Sequence, residues 1–130
     1  MKEFFSSKDP GKYMLQEYLD LEKDIRVVVL GNKILGSINR KVNLKRNKGY
    51  QGIKVKASGK CSIPKETEKA CIKISKKIGS DFCGIDIGID KKGSAYFMEC
   101  NISPQFISSE KTLSMNIAEK LMDLIIKKSR

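Results

Sequence analysis

Residues 82–101 have the sequence FCGIDIGIDKKGSAYFMECN, in which two apolar runs flank a short polar one. Apolar runs of this length, with β-branched and aromatic residues, are typical of strands that are buried on at least one side. The intervening DKKG combines a turn-forming aspartate with a glycine and predicts a tight reversal. We therefore expect strands at 82–89 and 95–101 that pair as an antiparallel hairpin.

An acid and an amide occur two residues apart at the end of the second strand. Because strand side chains alternate between faces, Glu99 and Asn101 share one face, roughly 6–7 Å apart. Asp86 joins them if the hairpin pairs it with Phe97 or Glu99, whereas a register shifted by one residue sends it to the opposite face. Two carboxylates and an amide oxygen suit magnesium together with phosphates and water. From spacing alone, polar strand ends that face water are an equally good explanation.

The remaining periodicity predicts an α+β domain. Apolar side chains at helical spacing lie between Pro64 and Gly79, and another such stretch follows Asn116, a capping residue with Glu119 three positions later. Further strands are expected at 13–19, 25–30, 34–39 and 52–57, with a basic loop at 41–52. We expect a mostly antiparallel sheet with two helices packed on one face.

Composition restricts the chemistry. The 130 residues suffice for one domain with its own core. The chain has 26 Lys and Arg against 15 Asp and Glu, and its net charge of +11 favours an anionic partner without selecting one. The absence of histidine excludes histidine-based catalysis and histidine metal ligands within this chain.

The cysteines and the apolar runs bear on location. No two cysteines stand at C-x-x-C spacing, so a zinc site is not indicated, and we expect reduced thiols in the core. No apolar run approaches the ~18 residues of a membrane span, and the first residues lack an apolar signal region. We expect a cytoplasmic protein without a membrane segment.

Four segments carry a resemblance to a known family: DIRVVVLGNKILGSINR, FCGIDIG, FMECNISPQF and MNIAEKL. Together they resemble the ATP-grasp superfamily, and within it the carboxylate–amine ligases that attach glutamate or a similar amino acid, such as the ribosomal-protein-modifying ligases. The match covers the C-terminal part of that fold only. We therefore expect 1–11 to be a leading segment and 12–130 to be the C-terminal ATP-grasp subdomain. The N-terminal domain and the first subdomain, with its glycine-rich phosphate loop, are not represented in it.

The resemblance implies roles for individual residues. The residues implied to bind the nucleotide are Glu17, Tyr18, Asp24, Lys45, Arg46 and Asn47. Glu17 and Tyr18 would meet the adenine through their backbone, and Asp24 would approach the ribose. The implied catalytic residues, which would neutralise the transferred phosphoryl group, are Arg26 and Arg40. The implied magnesium ligands are Asp86, Glu99 and Asn101.

The implied reaction is ATP-dependent amide formation. A carboxylate takes a phosphoryl group from ATP, and the amine of an amino acid then displaces phosphate from the resulting acyl-phosphate. The implied cofactors are ATP and one or two magnesium ions, for which manganese can substitute. The implied partners are the carboxylate, the amine, and either an acidic protein substrate or a missing N-terminal half. The chain would then be a fragment or a partner-dependent half of the ligase.

Two other interpretations remain open from the sequence. One is a non-catalytic ATP-grasp remnant that binds nucleotide weakly or not at all, because the first subdomain is not represented. The other is a basic nucleic-acid-binding module. The net charge of +11 favours that module, but the basic runs lack the interleaved aromatic residues on which bases stack, so nucleic acid is not favoured.

Overall fold

A computed structural model describes residues 9–14, 16–44 and 53–130. Its strands are β1 (Leu21–Leu30), β2 (Lys33–Leu44), β3 (Ile53–Cys61), β4 (Phe82–Asp90) and β5 (Ala95–Asn101). Its helices are α1 (Lys65–Ile78), α2 (Ile107–Leu113) and α3 (Ile117–Lys128), and a short 3-10 turn covers Pro10–Lys12. These strands form one antiparallel sheet in the order β3-β2-β1-β4-β5, which confirms the α+β class. None of the described helices is long and apolar enough to cross a membrane.

The central strand β1 explains why the sheet is covered on both faces. Its consecutive valines, Val27, Val28 and Val29, are each at most 2% exposed. Because neighbouring side chains of a strand point to opposite faces, all three can be buried only if both faces are covered. A strand that is apolar throughout therefore requires packing on each side.

The helices divide between these faces. Cys71 of α1 packs against Val27 and the other apolar side chains of that face. Leu113 of α2 and Ile117 of α3 pack with Val28 on the opposite face. The expectation of two helices on one face is therefore wrong in this detail, because the two helices foreseen from the sequence, α1 and α3, lie on opposite sides of the sheet.

Helix α2 was not foreseen at all. Its seven residues make about two turns, which is too short for a periodic pattern to stand out. The helix docks on β2 at a glycine: a Cβ atom on Gly36 would lie 2.5 Å from Cδ2 of Leu113. The absence of a side chain at Gly36 therefore permits the close approach that brings α2 over the sheet.

Several local boundaries are confirmed. β5 spans the expected residues 95–101, and α1 ends at Gly79, whose φ of 73° lies in the left-handed region that favours glycine. The side chain of Asn116 accepts a hydrogen bond of 2.9 Å from the backbone N–H of Glu119 at the start of α3. Turn and cap residues thus made these strand and helix ends predictable from the sequence alone.

Two strand predictions differ from the structure. No strand forms over the described part of 13–19, because pairing of β1 with β4 begins only at Leu21, opposite Asp90. β2 and β3 are longer than expected, so the beginning of the expected basic loop at 41–52 is strand. The rest of that loop lies outside the described residues.

The cysteines are free thiols, and two of them are buried. Burial raises the pKa of Cys71 to about 11 and the pKa of Cys83 to about 12, with a hydrogen bond to Cys100 adding to the latter. At pH 8, only a very small fraction of the Cys71 thiol is therefore the reactive thiolate. We expect alkylation at pH 8, followed by peptide mass spectrometry, to label Cys61 and Cys100 first and the buried pair only after denaturation. Equal labelling rates at all four sites in the folded protein would contradict this burial.

Candidate active site

Three charged side chains lie in a row across neighbouring strands. Arg26 of β1 is the register partner of Asp86 of β4, and Asp86 is in turn the partner of Glu99 of β5. The register thus places Asp86 on the face that Glu99 occupies, which is the condition that the sequence had left open. All three are on the sheet face that carries Val28, α2 and α3.

A β-bulge produces this alignment. Counted from the hairpin turn, Phe97 pairs with Ile87, but the next pair is Asp86 with Glu99, so Met98 is an extra residue in β5. Without the bulge, Asp86 would face Met98, and Glu99 would be directed to the opposite side of the sheet. The bulge therefore turns Glu99 towards Asp86, a use of bulges that is common beside active sites.

Arg26 and Asp86 form a two-pronged ion pair. Nε of Arg26 donates to Oδ1 of Asp86, and Nη2 donates to Oδ2, each at 2.6 Å. Asp86 is 4% exposed, so its charge depends on these partners. The hydrogen bond with Asp86 raises the pKa of Arg26, while burial opposes it. The guanidinium is thus a fixed, permanently charged group.

A second arginine connects Asp86 to Asp24. Nη1 of Arg40 lies 2.9 Å from Oδ2 of Asp86. Nε and Nη2 of the same arginine donate to Oδ1 of Asp24 at 3.0 and 2.6 Å. Asp24, implied by the resemblance to approach a ribose, here orients Arg40. Both predicted catalytic arginines therefore belong to one network of hydrogen bonds and ion pairs.

Glu99 and Asn101 occupy the exposed end of this network. Oε1 of Glu99 is 3.8 Å from Nη2 of Arg26, and its side chain is 63% exposed. The side-chain oxygen of Asn101 accepts a hydrogen bond of 2.9 Å from the backbone N–H of Ser103, which turns the chain out of β5. Neither side chain is buried, so both oxygens can reach a ligand from solution.

The network carries a formal charge of −1, because the carboxylates of Asp24, Asp86 and Glu99 outnumber the guanidinium groups of Arg26 and Arg40. A polyphosphate would therefore meet no net attraction from the cluster alone. One divalent cation would make the local charge positive. An anionic ligand would therefore bind to this cluster more favourably together with a metal ion.

The oxygen donors fit magnesium, although not equally. Glu99 and Asn101 offer a carboxylate and an amide oxygen, and magnesium commonly takes few protein ligands and completes its shell with phosphate and water. The oxygens of Asp86 already accept two hydrogen bonds from Arg26 and form an ion pair with Arg40. Within the described residues, no three acidic or thiol side chains form a ready metal cluster. Asp86 would become a ligand only where the arginines turn to phosphate oxygens.

A small cavity of about 250 Å³ lies beside the two arginines. Its polar lining consists of Arg26, Arg40, Gln105, Ser108 and Ser109. Gln105 and the two serines were not among the predicted site residues; in the sequence, Phe106 and Ile107 separate Gln105 from the serines. A larger cavity of about 690 Å³ lies at the other end of the sheet, between the β1–β2 turn and α3, and its lining includes none of the predicted site residues.

The other predicted nucleotide-binding residues are not in this cluster. Glu17 and Tyr18 lie in the irregular segment before β1, where Tyr18 is 88% exposed. Lys45, Arg46 and Asn47 lie outside the described residues. The structure therefore unites Asp24, both arginines, Asp86 and Glu99, and leaves the adenine contacts untested.

Comparison with known proteins shows the family of this chain. Residues 6–125 match the family described as "RimK-like ATP-grasp domain". The chain is 30% identical over 116 residues to human N-acetylaspartylglutamate synthase A. This alignment covers 85% of this chain and 29% of that enzyme. It is also 30% identical over 120 residues to tetrahydromethanopterin:alpha-L-glutamate ligase of Methanocaldococcus jannaschii, covering 88% of this chain and 40% of the relative.

Solved structures support the same fold. The structure of ATP-grasp ligase PsnB complexed with minimal precursor, Mg and ADP matches with a TM-score of 0.66 and 23% identity. The match covers 88% of this chain and 35% of PsnB. The chain thus spans less than half the length of the proteins it resembles.

Proposed function

The chain belongs to the RimK-like ATP-grasp family, and on this premise we propose that it supplies the metal- and phosphate-binding side of an ATP-dependent carboxylate–amine ligase. The observation that carries the proposal is the row of Arg26, Asp86 and Glu99 on one face of the sheet, joined by Arg40. Such a row offers fixed cations for phosphate oxygens and exposed oxygens for a metal ion. No described residue set favours the remnant or the nucleic-acid module over this function.

The reaction requires positioning rather than a protein nucleophile. The substrate carboxylate attacks the terminal phosphorus of ATP, ADP leaves, and the amine then attacks the acyl carbon and releases phosphate. Arg26 and Arg40 would hydrogen-bond the oxygens of the transferred group, and their pairing with Asp86 and Asp24 fixes them in advance. Magnesium, when bound by Glu99, Asn101 and phosphate oxygens, supplies positive charge for the phosphates.

The relatives suggest the class of substrate. The human relative is a synthase of N-acetylaspartylglutamate, and the archaeal relative is an alpha-L-glutamate ligase. We propose glutamate, or a similar amino acid, as the amine. The PsnB complex with its precursor and the net charge of +11 here are consistent with an acidic peptide or protein as one acceptor. The contacts with adenine and the glycine-rich phosphate loop would come from an N-terminal half of the ligase. The free thiols fit a cytoplasmic site of action.

Calorimetry with a non-hydrolysable ATP analogue tests this function. We expect binding with magnesium and at least about tenfold weaker binding without it, because the cluster is otherwise net negative. Glu99→Gln should remove most of that magnesium dependence, whereas Glu66→Gln, the same change in the first turn of α1, should leave it unchanged. A well-folded parent that binds the analogue equally with and without magnesium would contradict the proposal.

A further inference from the structure

The four cysteines of the chain lie on one side of the sheet. They belong to the cluster of apolar side chains under α1 or pack against it: Cys61, Cys71, Cys83 and Cys100. The charged side chains of the candidate active site are directed to the opposite face. The thiols therefore take no part in the reaction proposed above.

Two of these thiols meet across neighbouring strands. Cys100 of β5 is the register partner of Ile85 of β4. Cys83 lies two residues before Ile85, so its side chain is on the same face of the sheet. The two cysteines are thus diagonal neighbours, and the thiol of Cys83 hydrogen-bonds to that of Cys100. Their sulfur atoms are within reach of each other.

The two thiols differ in their access to solvent. Cys83 is fully buried, whereas Cys100 is half-buried. Among the described strands, β5 is the last of the sheet and pairs only with β4, so Cys100 lies on an edge strand. A small oxidant from solution can therefore reach Cys100 first, with a buried thiol beside it to complete a disulfide.

We propose that Cys83 and Cys100 are a redox modification site, at which a peroxide closes a reversible disulfide that weakens the nucleotide site. The sulfur of Cys100 takes one oxygen atom from hydrogen peroxide and becomes a sulfenic acid, and water leaves. The sulfur of Cys83 then attacks the sulfur of the sulfenic acid. The S–S bond forms, the S–O bond breaks, and a second water molecule leaves, so that two thiols are oxidised and one peroxide is reduced. A dithiol reverses the reaction by exchange.

The disulfide would act on the candidate active site through β5. Diagonal neighbours in a sheet are about 7–8 Å apart, whereas the α-carbons of a disulfide are usually about 4.4–6.8 Å apart. Closing the bond therefore draws Cys100 along β4 towards Cys83. Glu99 and Asn101, which flank Cys100 in the sequence, move with it, and Glu99 leaves its position opposite Asp86. This consequence rests on the proposed function, whereas formation of the disulfide does not.

Mass spectrometry of the folded, peroxide-treated chain tests the disulfide. Free thiols are alkylated after the treatment, and the chain is digested with trypsin without reduction. Cleavage at Lys91 and Lys92 leaves Cys83 and Cys100 on different peptides. We expect a crosslinked peptide that joins these two cysteines and disappears after treatment with dithiothreitol.

Calorimetry then measures the effect of the disulfide on the nucleotide site. Oxidation should weaken binding of the magnesium-bound ATP analogue by the parent about tenfold, and dithiothreitol should restore it. Cys100→Ser cannot form the bond, so peroxide should change its affinity by less than about twofold. The matched control is Cys61→Ser at the other half-buried cysteine, which should respond to peroxide as the parent does. Because dithiothreitol does not repair methionine sulfoxide, recovery distinguishes the disulfide from methionine oxidation.

Three results would overturn the proposal: no crosslinked peptide from the folded parent, a crosslink from Cys83 to Cys71 instead, or a disulfide between Cys83 and Cys100 that leaves the affinity unchanged. A reduced parent that does not bind the magnesium-bound analogue is a separate result. It would overturn the proposed function, while the crosslinked peptide would still establish the disulfide.

Discussion

Replacing Arg26 with methionine should lower the free energy of unfolding by about 3 kcal/mol and abolish magnesium-dependent nucleotide binding. The substitution removes both hydrogen bonds to Asp86, which is 4% exposed, and leaves only the ion-pair contact of 2.9 Å with Arg40. A buried carboxylate without adequate partners is costly, because its lost hydration is not replaced. Urea unfolding and calorimetry with the ATP analogue measure the two effects.

A second variant separates stability from function. Arg26→Met/Asp86→Leu removes both charges of the pair and should recover most of the lost stability, since apolar replacement of a buried ion pair is often neutral. It should still fail to bind the nucleotide, because the fixed cation is absent.

The exposed pair between Lys128 and Asp81 provides the control. Both side chains are more than half exposed, so Lys128→Met should cost less than about 1 kcal/mol. An Arg26→Met protein as stable as the parent, or a double variant with parental nucleotide affinity, would refute the role assigned to this pair.

Replacing Ile85 with alanine should also lower the free energy of unfolding by about 3 kcal/mol. Ile85 is fully buried among the apolar side chains under α1, next in sequence to Asp86 on the opposite face. The loss combines the transfer free energy of the removed carbons with the cavity they leave. The midpoint of urea unfolding should fall. The slope of the unfolding free energy against urea concentration should stay constant, as expected for an unchanged native state.

Ile102→Ala is the matched control for this second prediction. Ile102 is 64% exposed, so the same deletion of atoms should change stability by less than about 0.5 kcal/mol. Similar losses in the two variants would show that β4 is not the buried strand described here. A loss below about 1 kcal/mol at Ile85 would do the same.

Much of the fold was predictable because its signals are local. The turn after Asp90, the glycine that ends α1, and the Asn116 cap act within a few residues of their own position, and the structure confirms all three. The features that were not predicted correctly, helix α2 and the faces on which the helices pack, depend on tertiary packing. Helix α2 docks through Leu113 on Gly36, which is far away in the sequence.

The candidate site shows the same division. The sequence identified the charged residues, since polar side chains at the end of apolar strands are unusual and match a family pattern. The resemblance implies a metal-ligand role for Asp86, which stays a prediction; only the structure shows that its oxygens contact Arg26, sixty positions away, and Arg40. A pattern of residues cannot state which of several opposite charges a buried carboxylate will meet.

The sequence by itself determined the α+β class, the hairpin of β4 and β5, and the family. Only the tertiary structure decided that Glu99 faces Asp86, because an extra residue, Met98, shifts the register. It also decided that both arginines share Asp86 and that Gln105 and Ser108 line a cavity beside them. Strand alternation and capping are short-range properties of the chain, whereas register, ion pairing and cavities depend on which distant segments pack together.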